Sequence, residues 1–434
     1  MSKRTKIILT VVIILIVLIL AGLGIWYFFF QSKPASPSTT SSSPFGPGAG
    51  TATLPSGSQN PNSVSGSSGG NNLPSVIQNP LVELSATPVA GAGIYTSKTG
   101  STTVRYVDRG TGHIYDINLV SGAVAQVSAT TISPVYQAIW ASTGQSVVLR
   151  YLASDGVTVK SYSATLGAPN FAATMSGSAD SSIASSTTQT SASPGALMGS
   201  FLPDDIDAIA YSPAGTKIFY TNLINGREEG VTANTDGTKK LQIFDSPTSE
   251  WSLAWPATSE TAVTTKPSYI APGYLYFINA TTGNKQKILG NINGLTDLVN
   301  PGATEIAYTD NTNNLSIYSV KSGQSIPTGL ATLPEKCVWS QKNTSMLYCG
   351  VPTSVPAGNY PDDWYQGLVL FTDSIYKINA TTGTTTLISN LSAQYGKDID
   401  AINLALNKNE DHLIFMNKAD YSLWGLAIGT STTF

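Results

Sequence analysis

Four segments of this chain are variants of one pattern: IYDINLVSG at 114–122, LYFINATTG at 275–283, LSIYSVKSG at 315–323 and IYKINATTG at 375–383. A weaker fifth copy, VKSYSATLG, ends at Gly167, and a sixth, LQIFDSPTS, ends at Ser249 with Ser in place of Gly. Each reads as a strand, a tight turn and a second strand, because apolar and polar residues alternate up to a polar turn. Asn and Thr suit that turn, and the Gly supplies a positive φ where the chain reverses. A second pattern interleaves with the first: AIWASTGQSVVLRY from Ala138, AIAYSPAGTKIFYTN from Ala208, LVNPGATEIAYTD from Leu298, VWSQKNTSMLYC from Val338 and LALNKNEDHLIFMN from Leu404. Two hairpins per unit make four strands. The Gly122 to Gly167 and Gly283 to Gly323 spacings, 45 and 40 residues, match the roughly 40 to 45 residues of a propeller blade. The body from Leu81 is therefore expected to be all β, a propeller of four-stranded blades.

The hairpin around Ser212-Pro213-Ala214-Gly215-Thr216-Lys217 resembles the first hairpin of TolB-like and WD-repeat-like bacterial propellers, over roughly 81–434. The Gly-His and Trp-Asp signatures of true WD repeats are absent, so the resemblance implies architecture and carries over no functional residue. Counting second hairpins gives six blades. The stretch 404–428 adds a seventh with three strands, and 81–86 is the expected fourth strand, closing the ring; six or eight blades are the alternatives.

Ahead of this body, 7–30 is an apolar run interrupted only by Thr10, Gly22 and Gly24, longer than the roughly 20 residues that cross a bilayer as a helix. Lys3, Arg4 and Lys6 precede it and Lys33 alone comes closely after it. The positive-inside bias keeps 1–6 cytoplasmic and exports the chain beyond Phe30. Trp26 to Phe30 forms an aromatic belt at the outer interface. A cleaved signal peptide would have an apolar core of only about 7 to 15 residues and a small-residue cleavage site. The reading is a single-pass inner-membrane protein with its propeller periplasmic or extracellular. Between anchor and body, 31–80 is Ser, Pro, Gly, Thr and Asn with one charge, a composition expected to stay disordered. As a flexible coil it would span on the order of 40 Å.

Charged residues make up 11% of the 434-residue chain and the net charge is −3, against about 25% charged in an average globular protein. With no basic run in the body, the electrostatic footprint of nucleic-acid binding is missing. His113 and His412 lack partners at metal-ligand spacing, and no phosphate-cradling loop, nucleophile elbow or zinc-protease motif is present. No metal or cofactor is expected. Asp155-Gly156 and Asp236-Gly237 are ordinary turn pairs.

Three long connections stand out: 175–205 between blades two and three, with a Ser/Thr/Ala-rich insert at 176–200; 223–239 inside blade three; and 351–367 inside blade six. In a propeller the B-to-C and D-to-A connections share one face, and all three are expected on it, with the linker entering from the other. The blade-six connection concentrates Tyr360, Asp362, Asp363, Trp364 and Tyr365 between Gly358 and Gly367. Aromatic side chains supply contact area at low entropic cost, so these five are the candidate binding residues. The rings could instead fold back over the top of the ring, and the two carboxylates could serve a metal-assisted role. Cys337 and Cys349 lie symmetrically about Asn343, the centre of a hairpin, where cross-strand partners are within disulfide reach. A one-residue slip would leave them on opposite faces as free thiols.

These features point to a non-enzymatic binding or scaffold protein of a bacterial envelope that engages a protein or glycan. The alternative is a carbohydrate-active hydrolase or lyase working through Asp362 and Asp363. Nothing in the sequence sets the oligomeric state.

Overall fold

In the computed structural model, the described residues are 81–96, 100–132, 134–166, 195 and 197–429. The expected anchor at 7–30 and linker at 31–80 lie outside them. Among the described residues no helix is long and apolar enough to cross a membrane.

Each pair of hairpins forms one antiparallel four-stranded sheet, and seven such sheets succeed one another along the chain. Blades one to six span 89–128, 135–201, 206–246, 251–293, 296–331 and 337–390. Blade seven takes its first three strands, A to C, from 401–427 and its fourth, D, from Leu81–Ser85, which pairs antiparallel with Leu423–Ala427. The ring is closed by strands from both ends of the domain, as the repeat count required.

Burial depends on position within the blade. A second strand, B, is sandwiched between neighbouring blades on both faces, so it reads as an apolar run; Val147, Val148 and Leu149 are all fully buried, and so is every residue of His412–Asn417. Fourth strands lie at the rim and are partly exposed, as in Val124–Ser128. The repeat is explained by its turn. In LYFINATTG the Asn279 carboxamide oxygen accepts from the amides of Thr281 and Thr282 at 3.0 and 2.9 Å, and Gly283 closes the turn at φ 71°. Asn118 with Gly122 and Asn379 with Gly383 repeat the same bonds.

Two of the expected long connections are placed differently. The 223–239 stretch is not a loop: Lys217–Ile224 and Arg227–Asn234 form a continuous hairpin across Asn225-Gly226, both at positive φ. Arg227, Glu228 and Glu229 disguise that strand, yet Glu228 is fully buried. LQIFDS is consequently the fourth strand of blade three, not its third. The blade-two insert precedes the fourth strand rather than succeeding it, because Met198–Phe201 pairs with Val159–Thr165. It therefore belongs to a C-to-D connection, on the face where Leu81 begins, while the blade-six connection lies on the opposite face. Cys337 and Cys349 are direct cross-strand partners and form a disulfide, with Cα atoms 4.0 Å apart.

Candidate functional site

The blade-six connection runs from Thr353 to Thr372 between Met346–Pro352 and Asp373–Asn379, and carries the short helix Asp362–Tyr365. Its inner half is core. Tyr360 and Trp364 are each 4% exposed and pack with Leu333 and Phe371. Beneath them Lys336, fully buried, lies 2.7 Å from Asp373 and also pairs with Asp400. The Trp364 indole donates to Asp400 at 2.9 Å, and the Phe371 amide donates to the same carboxylate oxygen at 3.0 Å. The Lys336 ammonium sits 5.3 Å from the Phe371 ring centre. One cation shared by two carboxylates leaves a buried negative excess, and burial pushes Asp373 up to about 6 despite Lys336. The network ties the connection to blades six and seven, and it leaves Asp373 Oδ1 buried without a hydrogen-bond partner.

The outer half reaches sideways. Asp362 accepts from the Ser268 hydroxyl at 3.3 Å and the Tyr269 amide at 3.2 Å, both in the B-to-C turn of blade four. Asp363 turns back on its own loop and accepts from the Asn359 amide at 2.8 Å. Tyr365, 40% exposed, donates its hydroxyl to Glu335. Burial raises Glu335 to about 7, partly offset by the Tyr365 bond, and raises nearby Asp297 to about 6, partly offset by Thr264.

Tyr365, Gln366 and Asp362 form one edge of a groove of about 890 Å³ that runs along the junction of blades three and four. Its floor includes Trp251, Tyr274 and Tyr276, and its walls are the turns around Pro247 to Glu250 and Lys266 to Ser268. Tyr274 and Tyr276 lie side by side with ring centres 6.4 Å apart, and Tyr276 is 6.2 Å from Trp251.

The rest of the B-to-C face is unusually apolar. Val157, Leu223, Ile270, Leu368, Leu370 and Tyr421 are all exposed there, Ile270 by 79% and Leu368 by 72%. The opposite face carries the Asn, Thr and Gly turns, with Val120, Val124, Met198 and Leu241 as exposed exceptions.

The five sequence candidates are thus divided by the fold: Tyr360 and Trp364 are packed inward, Asp363 caps its loop, and Asp362 and Tyr365 border the groove. Sequence reasoning missed Lys336, Asp373 and Asp400, which are far apart in the chain. Their signal was contextual, since Lys336 and Asp373 stand beside apolar strand residues in a chain with few charges. The groove aromatics Tyr274 and Tyr276 were hidden inside the repeat itself. His113 contacts Thr131 and Gln126, and His412 bonds Asp411, so both serve local structure. Asp155 and Asp236 accept from the backbone of their own turns. No group of side chains suited to a metal ion occurs among the described residues.

No protein-family model matches the chain, and no curated protein matches it in sequence. Solved structures match it in fold. An oligogalacturonate lyase from Vibrio parahaemolyticus superposes with TM-score 0.50 at 9% identity, covering 83% of this chain and 96% of that one. TolB from Acinetobacter baumannii gives TM-score 0.40 at 9% identity, covering 68% and 62%. The class is therefore that of seven-bladed β-propellers, and the resemblance read from the repeat holds at the level of architecture.

Proposed function

We propose that this chain is a membrane-anchored extracytoplasmic binding or scaffold protein of a bacterial cell envelope, engaging a protein or glycan through the B-to-C face of its propeller. The observation that carries this reading is the asymmetry of the ring. Exposed Leu, Ile and Val side chains stand in the B-to-C connections of blades two, three, four and six, on the face that also holds the groove, whereas polar turns predominate on the other. Contiguous exposed apolar surface rimmed by polar residues marks an interaction site. The chain enters the ring at Leu81 on the polar face, so the apolar face is left free if the expected anchor at 7–30 and linker at 31–80 precede it. Membrane attachment rests on the apolar run and its flanking charges.

The carbohydrate-active hydrolase reading is less well supported. Paired-carboxylate chemistry needs two carboxyl groups facing one substrate gap, and here Asp363 is turned into its own loop while Asp362 is bonded to blade four. The test is crosslinking on intact cells with the Leu368→Ser/Leu370→Ser double variant, whose side chains are exposed and whose fold should be kept. Loss of the crosslinked species seen with the parent supports the assignment; unchanged crosslinking removes it.

A further inference from the structure

We propose that the groove between blades three and four is a binding site for an uncharged oligosaccharide. This rests on reading the B-to-C face as a binding surface, and it names a ligand class for that face.

The floor of the groove is aromatic, with Tyr274 and Tyr276 nearly parallel and Trp251 inclined at 60° to Tyr276. Tyr274 and Tyr276 are alternate residues of the strand Pro272–Asn279 and so project from the same side of the sheet. Their rings are tilted by only 25° from one another, and with Trp251 they make a row of three aromatic groups along the groove. A flat aromatic face suits the C–H face of a sugar ring, while phenolic and hydroxyl groups beside it meet the sugar's own hydroxyls. Thr248, Ser249 and Ser268 supply such hydroxyls in the walls.

The ionic side chains lining the groove nearly balance, with Asp245, Glu250 and Asp362 set against Lys266 and Lys285. Glu250 pairs with Lys266 at 2.8 Å, Asp245 pairs with Arg227 at 2.5 Å, Lys285 lies 5.0 Å over the Tyr276 ring, and Asp362 is held by Ser268 and Tyr269. A groove whose charges so nearly balance exerts little net pull on an anionic or cationic ligand.

The backbone beneath is already satisfied. Pro272–Asn279 is paired on both sides, with Glu260–Thr265 and with Lys285–Asn293. The strand that carries the two tyrosines therefore has no open edge to receive an extended peptide by strand addition. Over this strand recognition goes through side-chain faces and hydroxyls, which suits a neutral glycan.

The experiment is calorimetric titration of the purified full chain with hexasaccharides of β-1,4-glucose, β-1,4-N-acetylglucosamine, α-1,4-glucose and β-1,4-mannose, alongside hexagalacturonate and a proline-rich decapeptide. Saturable binding of a neutral hexasaccharide is expected, weakened about tenfold by Tyr276→Ala or Tyr274→Ala and retained in Tyr276→Phe. Ser249→Trp, which fills the groove from an exposed turn, should abolish it and keeps the test decisive should an Ala variant fail to fold. Absence of binding by every neutral hexasaccharide overturns the proposal. So does tighter binding of hexagalacturonate or the peptide, or binding indifferent to Tyr276→Ala and Ser249→Trp. If the groove binds no glycan while Leu368→Ser/Leu370→Ser still removes crosslinking in cells, the glycan assignment fails and the binding face stands.

Discussion

The two faces of this propeller are built from the same strands and obey different rules. On the A-to-B and C-to-D face, one turn recurs around the ring: an Asn oxygen binding two amides, then a Gly at positive φ. On the B-to-C face the connections range from the tight Asn225-Gly226 turn to the long stretch 353–372, and the longest is fixed by a buried ion network rather than by a turn. A repeated turn needs only local residues and therefore repeats in sequence. An irregular connection is held by residues distant in the chain, so it is free to vary outwardly once its inner half is pinned. The face that repeats supports the ring, and the face that varies is the one available for recognition.

The largest expected effect comes from breaking the pin. Lys336→Met should destabilise the domain by about 3 to 5 kcal/mol, because it leaves Asp373 and Asp400 buried without their cation. Urea unfolding should show it, and the deficit should shrink in acid, where a carboxyl already pushed up to about 6 takes a proton. A deficit independent of pH would mean that the network is not ionic. Next in size is the disulfide in the first hairpin of blade six. Cys337→Ala/Cys349→Ala, or reduction, should cost about 3 kcal/mol, and alkylation of the unreduced chain should find neither thiol.

The repeated turns are individually smaller. At Gly283 the φ of 71° is combined with a new Cβ lying 3.0 Å from the Ile243 carbonyl oxygen. Gly283→Ala should cost about 1 to 2 kcal/mol, and Asn279→Ala about 1 kcal/mol through its two lost bonds. Thermal unfolding of both variants, compared with the same changes at Asn379 and Gly383, would show whether the turns are equivalent.

A subtler difference lies in pH. Glu335 keeps its proton up to about pH 7 in the folded chain against an ordinary value of 4.5. Between those values the native state holds a proton that the unfolded chain has released. Its contribution is therefore fully present below pH 4.5 and lost as pH rises through 7. Asp297 and Asp373, both raised to about 6, act in the same direction. Glu335→Gln should flatten the fall in stability between pH 4.5 and 7; an unchanged slope would show that Glu335 is not the group responsible.

The sequence made the supporting face legible and the variable face only in part. Seven blades, closure by Leu81–Ser85 and the cross-strand Cys337–Cys349 pair were readable because each depends on local periodicity and register. Two of the long connections differ from expectation: the short fourth strand Met198–Phe201 stands beyond a long Ser/Thr/Ala-rich insert, and charged composition reads as loop where the chain is strand. Arg227–Asn234 shows the effect, since its strand position overrides its composition once Glu228 is buried between blades. Within the cluster at 360–365, nothing local distinguishes Trp364, which packs over Lys336, from Tyr365, which borders the groove. That distinction depends on Asp400 and Glu335, brought near by the packing of consecutive blades.

Binding through the B-to-C face is tested most directly by quantitative crosslinking on intact cells with two matched sets of surface changes: Ile270→Ser, Leu368→Ser and Leu370→Ser on one face, and Val120→Ser, Thr281→Ser and Thr381→Ser on the other. Loss of the crosslinked species is predicted with the first set and retention with the second, at equal amounts of folded protein. Retention with the first and loss with the second would contradict it.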